Sequence, residues 1–316
     1  MKKYIQFGML LFAVLCYTIA MASNDPEFSA PVEGRWDLTV NMGGGRIAAS
    51  WLEVRHSGVN GLTGRFVGDG GSARPISSVS FKEGKVSFHI PAQWEKTDRE
   101  MIFEGNYKDD KLEGTIINTL GKTYTFTGVR APKLIREKAP VWGSPIHLFN
   151  GKNLEGWMPL GKNNQWVVEN GILKSPQSGV NIRTTKTFDD FKLHIEFRYP
   201  KESNSGVYLR GRYEVQVEDS KGKEPINIYL GGVYGFIDPL WMMAKEAGEW
   251  QSYDITLVGR LVTVVVNGKK VIEQQPIPGV TGGALDANES EPGPIMMQGD
   301  HGPIEYRNII LTPARK

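Results

Sequence analysis

Short runs of alternating apolar and polar residues, many closed by a glycine-bearing turn, recur along this chain with no helix-length amphipathic segment between them. Alternation at period two sends one side of each run to a core and the other to water, the pattern of an antiparallel strand. Gly34-Arg35-Trp36-Asp37-Leu38-Thr39-Val40 and Ser50-Trp51-Leu52-Glu53-Val54-Arg55 show it early, and Phe191 to Tyr199 shows it strictly. Glu83-Gly84, Asn170-Gly171 and Asn267-Gly268 each join two such runs, and a pair that tolerates positive φ is what a tight hairpin needs. The 37 glycines in 316 residues suit that density of turns. Only Leu240 to Ala247 has helical composition, and it is short. The chain is expected to be all-β.

Strand signals fall into two blocks. Residues 30–131 predict an N-terminal antiparallel domain, a small barrel or sandwich, since the strands follow one another at about ten-residue spacing. Residues 132–145 carry Pro132, Pro140 and Pro145 among charged residues, and proline removes a ladder donor, so this stretch reads as a linker. Residues 146–316 predict a larger, two-sheet sandwich of jelly-roll type. His56 and His89 each stand alone among strand residues, which suits a structural role better than a catalytic one.

The start of the chain reads as an export signal. Lys2 and Lys3 precede an apolar run from Ile5 to Ile19, and Ala20-Met21-Ala22 places small residues where a signal peptidase cuts. Cleavage is expected after Ala22, giving a periplasmic or extracellular protein with no membrane span left. Lipidation at Cys16 is disfavoured, because Ala13-Val14-Leu15 lacks a small residue just before the cysteine. Loss of residues 1–22 would remove the one cysteine and bring the 37 basic residues level with the 35 acidic ones. Such a neutral, thiol-free chain offers no electrostatic case for nucleic acid, no disulfide scaffold and no multi-cysteine metal site.

The chemistry concentrates in two segments. If Asn204 to Asp219 is one extended segment, Val207, Leu209, Gly211, Tyr213, Val215 and Val217 share one face. The other face is a row of Tyr208, Arg210, Arg212, Glu214, Gln216 and Glu218, groups able to bind a polyhydroxylated ligand or simply to pair across an exposed sheet. Farther on, Pro292 to Gly302 places Gln298, Asp300 and His301 in a glycine-flanked loop, and a histidine can move a proton near neutral pH. Gly231-Gly232-Val233-Tyr234-Gly235 is a further loop, with the Tyr234 hydroxyl as a donor. It lacks the strand–glycine loop–helix context of a dinucleotide site.

Leu148 to Trp157, Asn204 to Asp219, Gly248-Glu249-Trp250-Gln251, Val266-Asn267-Gly268 and Ile295 to His301, in that order, resemble the 3-keto-disaccharide hydrolase domain family over about 146–314. The resemblance implies a secreted protein with a concanavalin A-like (LamG-like) fold that acts on 3-keto-glycosides, as a hydrolase or a lyase. A ketone at sugar carbon 3 acidifies the C2 proton, so a base can remove it and the C1 substituent can leave by elimination. On that basis Glu214 and His301 are the expected base and acid, with Arg210 as clamp for the enolate oxygen. Gln216, Gln298, Tyr234, Tyr208, Arg212, Asp219, Glu196 and Trp250 are expected to bind substrate. No cofactor is required. A divalent metal ion held by Glu214, Asp219 and His301 is the alternative to the arginine clamp, although no ligand spacing compels it.

Two other readings compete. Glu214-Val215-Gln216-Val217-Glu218 is similar to the Glu-x-Asp-x-Glu strand of retaining laminarinase-type glycosidases, but Gln216 replaces the central acid. A noncatalytic carbohydrate-binding module would use Trp241 and Trp250 as stacking platforms.

Overall fold

The computed structural model describes residues 29–315. The signal segment and its cleavage site after Ala22 lie outside the described residues. Among those described, the chain forms strands and irregular segments and no helix, so none is long and apolar enough to cross a membrane. Leu240–Ala247 is irregular, against its helical composition. Its backbone donors go to tertiary partners, Leu240 N–H to the Val271 carbonyl at 2.8 Å and Lys245 N–H to Gln251 Oε1 at 2.9 Å.

The strands between Gly34 and Arg130 form one antiparallel meander of nine. The first strand, Gly34–Gly43, lies between Arg46–Ser57 and Thr123–Arg130, with Trp36 opposite Leu52 on one side and Arg130 on the other. The sheet curls until Arg74–Ile76 meets Lys85–Ile90, which makes it a barrel. Inward positions supply Trp36, Leu38, Phe66, Phe88, Phe103 and Phe126. Phe103 stacks on Phe88 and on Phe126, each at 4.5 Å between ring centroids.

From Ile146 onward an eight-stranded and a five-stranded sheet pack face to face around a second core. Phe191–Arg198 and Ile304–Pro313 run through the middle of the larger sheet, and alternate residues such as Leu193, Ile195, Phe197, Ile309 and Leu311 point inward. Asn204–Leu209 and Tyr213–Glu218 form one edge of the smaller sheet. Segment 132–145 lies along the larger sheet, where Arg136 pairs with Asp189 at 2.8 Å and Asp190 at 2.7 Å.

Barrel and sandwich share a third, smaller core. Ala49, Trp51 and Val67 from the barrel pack on Val280 and Ala287, and the Trp51 ring meets Phe236 edge-on at 5.2 Å. Beside it the buried Arg260 and Glu289 side chains pair at 2.5 Å, and Arg260 also donates to the Pro132 carbonyl. Asp37 of the barrel faces Glu289. Burial, and then the Glu289 charge, pushes its carboxyl up to about 10, which keeps it neutral.

Candidate active site

Asn204 to Asp219 is a hairpin and not one extended segment. Arg210 and Gly211 take left-handed φ values of 52° and 67°, and Arg212 N–H donates to the Leu209 carbonyl at 3.0 Å, closing a type I′ turn. Tyr208 pairs with Glu214 and Gly206 with Gln216, so the alternation survives the turn. Val207, Leu209, Tyr213, Val215 and Val217 enter the core. Tyr208, Glu214 and Gln216 share the outer face of the sheet.

That face is covered, and Glu214 is buried beneath it. Gly206 makes the room, since a Cβ there would lie 2.0 Å from Glu214 Oε1. Burial pushes the Glu214 carboxyl up to about 8, against a smaller downward pull from the Tyr208 hydroxyl. Tyr208 Oη lies 2.9 Å from both Glu214 Oε2 and the Gly282 carbonyl oxygen. One phenolic hydrogen cannot serve both. The carbonyl can only accept, so Tyr208 donates to Gly282 while neutral Glu214 donates to Tyr208. Ionised Glu214 can only accept, so the Tyr208 hydroxyl then donates to Glu214 and no longer to the Gly282 carbonyl.

The 298–301 loop reaches the same place. Gln298 N–H donates to the Gly206 carbonyl at 2.9 Å, and Ser205 Oγ donates to the Gln298 carbonyl at 2.7 Å. Ser178 Oγ holds the Asp300 carbonyl at 2.6 Å. His301 Nδ1 and Asp300 Oδ1 are 2.8 Å apart. This bond raises the His301 pKa and lowers that of Asp300, and leaves His301 Nε2 free for a ligand. Tyr234 arrives on the 231–237 segment, which runs beside the hairpin with Tyr234 N–H donating to the Glu214 carbonyl at 3.0 Å.

Glu214, Tyr208, Gln216, Tyr234, Gln298 and His301, six of the residues singled out in the sequence, line one hollow of 190 Å³. Gln216 Nε2 donates to the Ile228 carbonyl at 3.2 Å, leaving Gln216 Oε1 buried with no partner among the described residues. Gln298 Oε1 is in the same condition. Two orphaned acceptors beside an acid–base pair suit a ligand rich in hydroxyl donors. Larger hollows of 610 and 650 Å³ border the 132–145 segment, and neither gathers such a pair.

Five expected site residues are elsewhere. Arg210 is fully buried at the turn, with Nη2 donating to the Gly259 carbonyl at 2.7 Å and Nη1 to Asp189 at 3.3 Å, so it cannot clamp an oxygen in the hollow. Arg212 donates to Asp286 at 2.7 Å and to the Glu291 carbonyl at 2.8 Å. The turn has twisted both arginines off the Glu214 face. Asp219 accepts from Glu202 N–H at 3.0 Å, outside the hollow, so Glu214, Asp219 and His301 are not gathered as metal ligands. Among the described residues no group of three acidic, histidine or cysteine side chains could hold a metal ion. Glu196, on the other sheet, pairs with Arg307 at 2.6 Å. Trp250 carries the guanidinium groups of Arg198 and Arg307 at 4.8 and 3.9 Å, which occupies it as a stacking platform. Glu218, the second acid of the laminarinase-like pattern, pairs with Lys223 at 3.1 Å and does not line the hollow.

Other contributors had no role assigned from the sequence, although Asp300 was singled out there beside His301. Asn204, Asp300, Gly282 and Gly283 line the hollow, together with Asp69, Gly70 and Gly71 from the barrel. The Gly68-Asp69-Gly70-Gly71 run is visible as a loop signal, but nothing local to it says which surface it meets.

Among solved structures, similar chains include two Parabacteroides distasonis proteins described as candidate glycosyl hydrolases. One is 29% identical, covering 57% of this chain and 94% of that one with a TM-score of 0.47. The other is 20% identical, covering 54% and 94% with a TM-score of 0.46. A Bacillus licheniformis beta-glucanase is 13% identical, covering 57% and 100% with a TM-score of 0.35. No curated protein matches the chain. Residues 144–312 match the family described as the 3-keto-alpha-glucoside-1,2-lyase-like domain, more than half of the sequence and all of the Glu214 hairpin and His301 loop. The chain belongs to the 3-keto-alpha-glucoside-1,2-lyase-like domain family, and by that membership it is a carbohydrate-active protein of glycosyl hydrolase-like type.

Proposed function

We propose that this protein cleaves 3-keto-glycosides by removing the C2 proton and eliminating the C1 substituent. The observation that carries the reading is Glu214, a buried carboxyl pushed up to about 8 beside the Asp300–His301 pair. A carboxylate with little solvation is a strong base for a carbon acid. Ionised Glu214 takes the C2 proton, and the C–H electron pair forms the C2–C3 double bond while charge moves onto the ketone oxygen. The Tyr234 hydroxyl donates to that oxygen, the role that Arg210 cannot fill. Collapse of the enolate restores the ketone, forms the C1–C2 double bond and breaks the bond from C1 to the leaving oxygen. Protonated His301, held by Asp300, gives its proton to the leaving oxygen. Addition of water to the unsaturated product would make the net reaction a hydrolysis, and release without it a lyase reaction. Gln216 Oε1 and Gln298 Oε1 accept from ring hydroxyls.

The test compares a nitrophenyl glucoside with its 3-keto derivative. Nitrophenol release from the keto sugar alone supports this reading, with Glu214→Gln and His301→Ala each slowing it by about 100-fold or more. Equal release from the unoxidised glucoside overturns it in favour of an ordinary glycosidase. Binding with no release of either overturns it in favour of a binding module. We further propose export with cleavage after Ala22. N-terminal sequencing of the mature chain should begin at Ser23.

A further inference from the structure

The hollow is not made by the sandwich alone. Asp69, Gly70 and Gly71 come from the barrel and stand in the same lining as Glu214 and His301. We propose that the barrel is part of the substrate site, its 68–73 loop walling the hollow so that only a terminal sugar ring can enter, with Asp69 binding a hydroxyl of that ring. The proposal rests on the function proposed above for the same site.

The wall is built in close-packed layers. A Cβ on Gly283 would lie 2.7 Å from Tyr208 Oη, and one on Gly282 would lie 2.3 Å from the Gly71 carbonyl oxygen. Gly283 N–H donates to the Asp69 carbonyl at 3.2 Å. Tyr208, the 282–283 backbone and the barrel loop are thus stacked with no space for a side chain between them. Behind the loop stands Trp94, so near that a Cβ on Gly71 would lie 2.6 Å from its ring. Arg74 lies over the Trp94 ring at 3.9 Å and pairs with Glu95. The contact of buried Trp51 with half-buried Phe236 and the buried Arg260–Glu289 pair hold the two halves together, so the wall is fixed and not a swinging lid.

Size and charge then select the occupant. At 190 Å³ the hollow is smaller than the roughly 300–1,000 Å³ of sites for drug-sized ligands, which limits it to about one sugar ring. A leaving group larger than that must project into solvent. Asp69 Oδ2 pairs with Arg46 at 3.0 Å, and its side chain is 44% exposed. Among the described residues its other carboxylate oxygen has no side-chain partner and is an acceptor for a ring hydroxyl.

The experiment measures kcat and KM on a nitrophenyl 3-keto-glucoside for the full chain, Asp69→Ala and Asp69→Asn. It adds a substrate whose oxidised ring carries a second sugar at O4. We expect kcat/KM to fall about tenfold or more in Asp69→Ala, mainly through KM, because a hydrogen bond to a charged group is lost, and by less in Asp69→Asn, whose amide oxygen still accepts a neutral one. Their unfolding temperatures should match the parent, and the O4-extended substrate should not be cleaved. Unchanged KM in both variants, or equal turnover of the O4-extended substrate, overturns the proposal while leaving the proposed reaction intact. A parent that cleaves no keto sugar overturns the reaction itself. Calorimetric titration with free 3-ketoglucose then decides the wall: tenfold weaker binding in Asp69→Ala supports it, and equal or absent binding in both proteins overturns it.

Discussion

Tyr208 Oη stands 2.9 Å from Glu214 Oε2, across the same pair of neighbouring strands. The tyrosine stabilises the ionised carboxylate, but only by giving up the Gly282 carbonyl. Base strength is thereby tied to the loop that separates the sandwich from the barrel.

Tyr208→Phe removes the one hydrogen bond that pulls the Glu214 pKa down. The limb of the pH–rate profile near 8 should move upward by about one unit, the size expected for a bond to a charged group. Steady-state kcat/KM from pH 5 to 10 checks this, and a downward shift would contradict the bonding scheme.

Glu214 also makes stability depend on pH. Its folded pKa of about 8 lies above the ordinary 4.5, so the folded state holds a proton that the unfolded chain has already lost. Stability is therefore full below about 4.5 and declines as pH rises to about 8, after which the loss is complete. Glu214→Gln should remove this decline. Urea unfolding of both proteins at pH 5, 7 and 9 should converge at pH 5 and separate at pH 9, with the glutamine variant more stable there.

Arg210→Met separates a structural arginine from a catalytic one. It leaves the Gly259 carbonyl without its 2.7 Å donor in a fully buried place, at a cost of about 3 kcal/mol. Activity per folded molecule should barely change. A hundredfold loss of kcat at unchanged stability would return Arg210 to the active site.

Asp37 and Glu289 face each other but should respond differently. Glu289→Gln leaves the buried Arg260 charge unpaired and should cost about 3–5 kcal/mol. Asp37 is already neutral, so Asp37→Asn should stay within about 1 kcal/mol of the parent. Denaturant midpoints at pH 7 measure both.

The strands and tight turns were legible because they are written locally. Asn170-Gly171 and Asn267-Gly268 adopt the left-handed geometry that their residue types favour, and Glu83-Gly84 adopts it with only its glycine suited to it, between two clearly alternating runs. Alternation likewise placed Tyr208, Glu214 and Gln216 on one face, and it did so across a turn that the sequence reading missed. The Arg210-Gly211 turn was obscured because arginine is not a usual turn residue. Its side chain is anchored by the buried Gly259 carbonyl and by the half-exposed Asp189, both distant in sequence. Asp69 and the glycines beside it were illegible for a related reason. Their role depends on a contact with Gly282 and Gly283, about two hundred residues away, and no local pattern encodes which loop meets which. Trp250 was misjudged because sequence shows an aromatic ring but not the two guanidinium groups already lying on it.

The close approach of Gly71 to Gly282 has a consequence for how such a protein can diversify. Loops usually tolerate change better than strands. Gly71, however, is packed against Gly282 and Trp94 with no room for a side chain, so only the solvent-facing positions of the 68–73 loop can change cheaply, while strand Tyr213–Glu218 is held on both sides. Because that loop stands against the site, lengthening it at those positions would make the pocket shallower without disturbing the chemistry. Under the proposed function, substrate range would be set by one domain and the reaction by the other.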